Sequence, residues 1–333
     1  MTQNSQEKFR QAILDFPQQF SEAKELAKDI FLEKDFDLVL VVGMGGSAWP
    51  AEILKAYLSD QDKKHLELHR NYGLPQGLPK NTLVVLMSYS GNTEETLSAY
   101  KEAGQMNLPR ISITSGGQLK EKSFQENIPV VEIPEGLEPR MATGYLFPLL
   151  TKVAEEAIPA LKNKYFKNTL KLAKELNPHQ LEEKGKDLAE KFKDKIPLIY
   201  TSEQLKILAF IWKIKINEGV KIPAFYNFFP ELNHNEFSAF TQPNLLPNPL
   251  QVLFLKNPSD HPRIIKRMDL SEKIIQKQGV QTEEVNLIGS DLLEKIFSGI
   301  LLSDWVTYFL AQHYQVDPLA TQLQEDFKQQ MNR

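Results

Sequence analysis

Between Ser88 and Thr96 the chain reads Ser-Tyr-Ser-Gly-Asn-Thr-Glu-Glu-Thr, with four Ser and Thr hydroxyls and a glycine directly behind the apolar run Leu83–Met87. An apolar run that ends in small hydroxyl residues and passes into a helical pattern brings side-chain O–H groups and the free N–H groups of a helix start to one point. Such a point is a cradle for an anion. No Lys or Arg lies inside the segment, so it offers neutral hydrogen bonds and a helix dipole. That suits a small sugar phosphate better than a nucleoside triphosphate. Helix capping accounts for Asn92 as the N-cap and for Glu95, three residues on, as the closing member of a capping box. It leaves Ser88, Ser90 and Thr93 as candidate ligand groups.

A second loop of this kind, Gly43-Met44-Gly45-Gly46-Ser47, follows the apolar run Leu38–Val42 and opens a helix. Its glycines allow backbone N–H groups to approach a ligand closely, which makes Gly45, Gly46 and Ser47 further candidates. A dinucleotide fingerprint is excluded. That motif needs a third glycine near where Trp49 stands, and an acidic residue at the end of the next strand, where this chain has His69-Arg70. The Gly-Lys-Ser/Thr ending of a P-loop is missing as well. A third strand end, Ile113-Thr114-Ser115-Gly116-Gly117, also carries hydroxyls, but these serve equally well to cap the next helix and are read as mainly structural.

The elements that must position these loops alternate along the chain. Strands are expected at Leu38–Val42, Leu66–His69, Leu83–Met87, Ile111–Ile113 and Val130–Ile133, with helices at Trp49–Leu58, Glu94–Gln105, Leu119–Gln125 and Thr143–Ala157. This alternation is the signature of parallel strands joined by crossover helices, an α/β fold with a doubly wound sheet. From Pro159 to Lys195 the composition shifts to Lys, Glu and Leu at helical spacing, as in Lys162–Leu176 and Gln180–Phe192, which marks a domain junction. A second alternating set follows through Leu198–Tyr200, Leu205–Asn217, Val252–Leu255, Arg263–Gln278, Glu284–Ile288 and Leu292–His313. Tyr200-Thr201-Ser202-Glu203-Gln204 falls where the first glycine loop falls, and Asn257-Pro258-Ser259-Asp260 falls where the Ser88 loop falls. The two halves therefore read as a diverged duplication in which the first half keeps the phosphate site.

Bulk properties bound the function. The 333 residues are 41% hydrophobic and 25% charged, with a net charge of −4 and no basic block, so nucleic acid is not an expected partner. The longest apolar stretches fall far short of a bilayer span, and the first residues lack the apolar core of a signal peptide, so no membrane is expected and the address is cytoplasmic. There is no cysteine, hence no disulfide, no thiolate chemistry and no Cys-based metal site, and the six His show no metal-ligand spacing.

Gly-Met-Gly-Gly-Ser at 43–47, Ser-Tyr-Ser-Gly-Asn-Thr-Glu-Glu-Thr at 88–96, Pro-Arg-Met-Ala-Thr-Gly-Tyr at 139–145 and Glu-Leu-Asn-His-Asn-Glu at 231–236 resemble the bifunctional phosphoglucose/phosphomannose isomerases, in that family's order from about Leu38 to Lys328. The resemblance implies two doubly wound sugar isomerase (SIS) domains, αβα sandwiches packed together. Residues 1–158 would form the first, with 1–35 as a helical extension, and residues 159–333 the second. It implies a cofactor-free interconversion of glucose 6-phosphate, or mannose 6-phosphate, with fructose 6-phosphate through an enediol.

Under that resemblance Glu218 is the base. The steps Ile207, Ile211, Ile214, Glu218 place its carboxylate on an extension of the buried face, where its pKa should rise towards the neutral range. As a lone residue it would read as a solvated helix end. The resemblance makes His234 the ring-opening group, reaching the partner subunit's site in an obligate dimer; alone it would read as a surface-loop histidine, in a segment that is neither a good helix nor a good strand. Arg140 would stabilise the enediolate, Lys328 would assist at the ring oxygen, and Thr321 would admit the mannose epimer. The chain departs from the family at Asp317-Pro318-Leu319-Ala320-Thr321, at Gly219-Val220 after the base, and at Ala48-Trp49-Pro50, where a bulky Trp would narrow the pocket. The alternatives are another sugar-phosphate isomerase on the same fold, such as the isomerase half of glucosamine-6-phosphate synthase, against which stands the lack of a glutaminase domain and an N-terminal Cys, and a sugar-phosphate sensor, for which the residues before Leu38 are too few to form an output domain. A sensor has no use for Glu218 and His234.

Overall fold

The structure is a computed structural model that describes residues 2–242 and 250–331. By contacts the chain divides into two compact units, Asp15–Leu176, and the part up to Leu14 together with that from Asn177 onward. The sequence reading placed the division after residue 158. By contacts, residues 159–176 go with the first unit, and the first helix of the amino-terminal extension goes with the second.

After α1 (Thr2–Leu14), which belongs to the second unit, the first unit runs α2 (Phe16–Leu26), β1 (Leu38–Val42), α3 (Trp49–Tyr57), β2 (Leu66–His69), β3 (Thr82–Met87), α4 (Glu94–Gln105), β4 (Arg110–Thr114), α5 (Gly117–Gln125), β5 (Val130–Glu132), α6 (Thr143–Ala157), α7 (Phe166–Thr169) and α8 (Leu172–Glu175). All five strands are parallel, in the order β2-β1-β3-β4-β5. Because helices cover both faces, β1 and β3 are buried at every residue, which is why they read as continuous apolar runs rather than alternating ones. Leu40, Val42, Val84 and Leu86 pack with Ala99, Tyr100 and Ala103 of α4 and Leu119 of α5. From β1 the chain winds to β2 on one side, and from β3 to β4 and β5 on the other. The direction therefore reverses between β1 and β3, and a crevice at the carboxyl ends of those two strands is where ligands sit in such sheets. Both candidate loops emerge there.

The second unit continues with α9 (His179–Phe192), β6 (Ile196–Ser202), α10 (Lys206–Val220), β7 (Phe225–Phe229), β8 (Leu250–Lys256), α11 (Pro262–Lys277), β9 (Gln281–Asn286), α12 (Leu292–His313) and α13 (Gln322–Met331). Its sheet is parallel in the order β7-β6-β8-β9, the same winding as β2-β1-β3-β4. The residues after β6 and β8 thus correspond to the two glycine and hydroxyl loops, as the duplication predicts.

Several local expectations are corrected. Strand β7 was not anticipated. Its outer residues Phe225 and Tyr226 are exposed at the sheet edge, so the run Phe-Tyr-Asn-Phe-Phe lacks the alternation that marks a strand. The segment before His234, read as a loop, is the end of β7 followed by one 3-10 turn over Glu231–His234. Lys162–Leu176 is not one helix but the two short helices α7 and α8. Strand β9 begins three residues earlier than expected, and α13 lies beyond the last element expected. Among the described residues no helix is long and apolar enough to cross a membrane.

Candidate active site

The glycine loop turns through a 3-10 helix at Gly45–Ser47, with Gly45 at φ +50°, a conformation that favours glycine. Ser47 is buried, and its Oγ accepts the Tyr89 N–H at 3.1 Å, which ties the loop after β1 to the loop after β3. Ser88 is buried too; its Oγ accepts the Gly91 N–H at 3.1 Å and lies 2.9 Å from Thr93 Oγ1. Ser90 is exposed, and its Oγ accepts the Asn92 N–H at 3.3 Å. A hydroxyl that has accepted a backbone N–H still has one O–H to donate. Ser47 and Ser90 each keep an O–H to donate at the crevice, and of the paired Ser88 and Thr93 hydroxyls one donates to the other and leaves one O–H over, a polarity suited to an anion. The fourth hydroxyl residue of the segment, Thr96, is buried in the first turn of α4.

The capping box expected here does not form. Thr93 stands at the N-cap of α4. Asn92 instead bridges to the next loop, its Oδ1 accepting the Gln118 N–H at 3.1 Å and its Nδ2 donating to the Ser90 carbonyl at 3.1 Å. Its short amide does more by joining two loops than by closing one helix end. The Ile113–Gly117 segment is structural, as read: the Tyr89 carbonyl accepts the Ser115 hydroxyl at 2.7 Å and the Ser115 N–H at 3.1 Å. Sequence reasoning passed over Tyr89. Its hydroxyl donates to the Pro134 carbonyl at 2.8 Å and accepts the Leu137 N–H at 2.9 Å, and burial pushes the phenol above its usual range. It anchors the loop after β3 to the strand-end segment that leads to Arg140.

Arg140 lies in a 3-10 turn, Pro139–Met141, and is 5% exposed. Its Nη1 donates to Glu138 Oε2 at 3.4 Å. The turn rests on Gly46, where a Cβ would lie 2.8 Å from both the Arg140 nitrogen and the Pro139 oxygen. From the other side, Gln19 of α2 donates to the Met141 carbonyl at 2.8 Å. The extension helix α2 therefore buttresses the arginine. Trp49, expected to narrow the pocket, is wholly buried at the start of α3 and spends its bulk on the interior.

In the second unit Glu218 is half-buried in the last turn of α10. Ile207 and Ile211 on its stripe are buried, but so are Leu208, Ala209, Trp212, Lys215, Ile216 and Gly219, so α10 is enclosed almost all round and the stripe opens only towards Glu218. Asn217 donates to the Ile222 carbonyl at 2.8 Å, and the Lys221 ammonium donates to the carbonyls of Glu218 and Ala320. Lys221 so draws the segment before α13, with half-buried Thr321, to the Glu218 end of α10. Asp317 holds that segment through the N–H groups of Leu319 and Ala320, at 2.8 and 3.3 Å, and through Ser5 at 2.7 Å. Burial opposes its charge, yet these bonds keep the carboxyl below its usual range. Lys328 is exposed on α13 and pairs with Glu325 at 2.7 Å.

His234 is exposed. The residues around it are tied down: Asn233 donates to Ser271 Oγ at 2.9 Å and accepts from Arg267 at 3.1 Å, while Asn235 donates to Glu231 at 2.9 Å. Glu236 accepts hydrogen bonds from Tyr200 and Asn227. The amide-rich motif thus builds a fixed turn that presents one imidazole outward. Among the described residues no group of three or more His, Asp or Glu side chains is placed to hold a metal ion.

Residues 34–128 match the SIS domain family model, and residues 181–331 match that of the bacterial phospho-glucose isomerase C-terminal SIS domain. The chain is 36% identical over 319 residues to a bifunctional phosphoglucose/phosphomannose isomerase of Caldicellulosiruptor bescii, covering 92% of this chain and 94% of that one. It is 31% identical over 313 residues to a protein of the same description from Aquifex aeolicus, covering 94% and 95%. Among solved structures, the glucosamine-6-phosphate deaminase of Thermotoga maritima superposes with a TM-score of 0.69 at 18% identity, over 94% of this chain and 96% of that one, a likeness of fold.

Proposed function

The chain belongs to the bifunctional phosphoglucose/phosphomannose isomerase family, and from that premise we propose that it interconverts glucose 6-phosphate, and mannose 6-phosphate, with fructose 6-phosphate without a cofactor. The observation that carries the reading is the pair of loops at the β1 and β3 ends, where Ser47, Ser88 and Ser90 each accept a backbone N–H, which leaves O–H donors on Ser47, on Ser90 and on one member of the Ser88–Thr93 pair. These hydroxyls, with Thr93, Gly45 and Gly46, bind the phosphate.

In the reaction His234 transfers the proton that opens the sugar ring, with Lys328 assisting at the ring oxygen. Glu218 then takes the proton from C2 of the aldose. The C2–H electron pair forms the C1–C2 double bond of a cis-enediol(ate), the C1 carbonyl oxygen takes up the charge, and Arg140 stabilises it; the 2-OH proton passes to O1, the C2–O bond becomes the carbonyl, and return of the proton from Glu218 to C1 gives the ketose. Two enolate oxygens meet a guanidinium that is largely shielded from water, where its attraction is least screened. Thr321 bears on the mannose epimer. The working form is a homodimer in the cytoplasm, with His234 given across the interface. The exposed, rigidly mounted His234 supports this reading, because such a turn suits a group that acts outside its own chain.

The test is fructose 6-phosphate in heavy water without added metal, followed by NMR, with Glu218→Gln alongside. Deuterated glucose 6-phosphate, with or without the mannose epimer, that disappears in the variant is the expected result. Ligand line-broadening without product would instead make the chain a sugar-phosphate sensor, and the roles of Glu218 and His234 would be withdrawn.

A further inference from the structure

Lys215 and Asp304 form an ion pair closed off from solvent, 2% and 1% exposed, with Nζ and Oδ1 2.5 Å apart. It joins α10 to α12 one helical turn before Glu218. Burying two charges is costly, and a well-packed apolar pair in the same space is commonly as stable. Stability alone therefore does not account for the pair, and its geometry suggests another use.

The contacts between the two helices advance together along both helices. The Trp212 indole N–H donates to the Gly299 carbonyl at 2.9 Å, Lys215 meets Asp304, and Gly219 rests on Thr307, whose methyl lies 2.2 Å from where a Cβ would be. The last two contacts bracket Glu218. An apolar contact lets packed helices slide and turn by small amounts, whereas a charged hydrogen bond fixes both rise and rotation. We infer that the buried Lys215–Asp304 pair is a positioning device that fixes the last turn of α10, and with it the Glu218 carboxylate, for proton transfer. The inference rests on Glu218 being the base. Neither Lys215 nor Asp304 is assigned a contact with substrate.

The experiment compares wild type, Glu218→Gln and the double variant Lys215→Met/Asp304→Leu, which replaces the ion pair by apolar side chains. Each is assayed for isomerisation of fructose 6-phosphate, thermal unfolding and amide hydrogen exchange. The double variant should melt within a few degrees of wild type, keep KM within about twofold and lose about 100-fold in kcat, as a small misplacement of a reacting group does. Its amides at 217–220 should exchange faster, with the rest of the second unit unchanged. Wild-type kcat in the double variant, or unchanged exchange at 217–220, overturns the inference. If wild type itself proves inactive, the proposed function fails and amide exchange alone decides whether the pair fixes this turn. Should the double variant not fold, Lys215→Met/Asp304→Asn, closer in shape to the native pair and likewise without a buried charge or an ammonium donor, is read in the same way.

Discussion

Gly46 lies directly beneath the peptide that joins Pro139 to Arg140, with room for a hydrogen and none for a methyl. The glycine loop is therefore also the seat of the arginine turn. Gly46→Ala should push that turn away, and a displaced guanidinium should lower kcat/KM by about 100-fold. Steady-state kinetics with fructose 6-phosphate measure this. Wild-type kinetics in the variant would show that Arg140 does not depend on this contact.

Subunit complementation tests the placement of His234. Glu218→Gln and His234→Ala should each lower kcat by about 100- to 10,000-fold, the usual range for a general acid or base. If His234 acts across a dimer interface, mixing the two inactive variants under exchanging conditions restores about a quarter of wild-type activity, because half of the dimers are mixed and each of those has one intact site of two. No recovery, with exchange verified, would place His234 in its own subunit's site.

Gly219 has no room for a side chain. Thr307 Cγ2 occupies the space of its missing Cβ, so Gly219→Ala should destabilise the protein by about 1–3 kcal/mol through overpacking. Adding Thr307→Ala should return most of that loss, since it removes the obstructing methyl together with a buried hydroxyl that has no hydrogen-bond partner among the described residues. Denaturant midpoints of the three variants decide it, and strict additivity would refute the contact.

Acid stability should carry a contribution from Asp62. The Tyr165 hydroxyl, 2.5 Å away, leads the bonds that hold this carboxyl below its usual range, followed by Ser59 and Lys164. A lowered folded-state pKa means that the contribution is complete above the unfolded value, about 3.9, and is lost as pH falls through the lower folded value. Asp62→Asn should therefore be less stable than wild type at pH 7 by about 1–3 kcal/mol, with the gap closing below about pH 4. Urea melts from pH 7 to pH 3 measure the difference; a gap independent of pH would show that the charge contributes nothing.

Elements with strong local signals were legible. Leu38–Val42, Leu66–His69, Glu94–Gln105, Thr143–Ala157 and Leu292–His313 have the boundaries read from the chain, because buried parallel strands and long helices announce themselves by apolar runs, flanking glycines and period. Strand β7 was not legible, because an edge strand with exposed aromatics lacks that pattern. Asn92 was misassigned for a related reason: a capping box is a local rule, and its side chain was claimed by Gln118 from a neighbouring loop.

The residue types of the two loops, their place behind apolar runs, the alternation of strand and helix and the motif order were set by the sequence alone, and they were enough to name a family. Only the tertiary structure decided which hydroxyl accepts which backbone N–H, that Tyr89 anchors the loop after β3, that Arg140 rests on Gly46, and that Lys215 meets Asp304 a turn from Glu218. The reason is physical. Motifs are written in neighbours along the chain, whereas the position of a buried charge or a turn is set by side chains dozens of residues away, whose identity means little until packing brings them into contact.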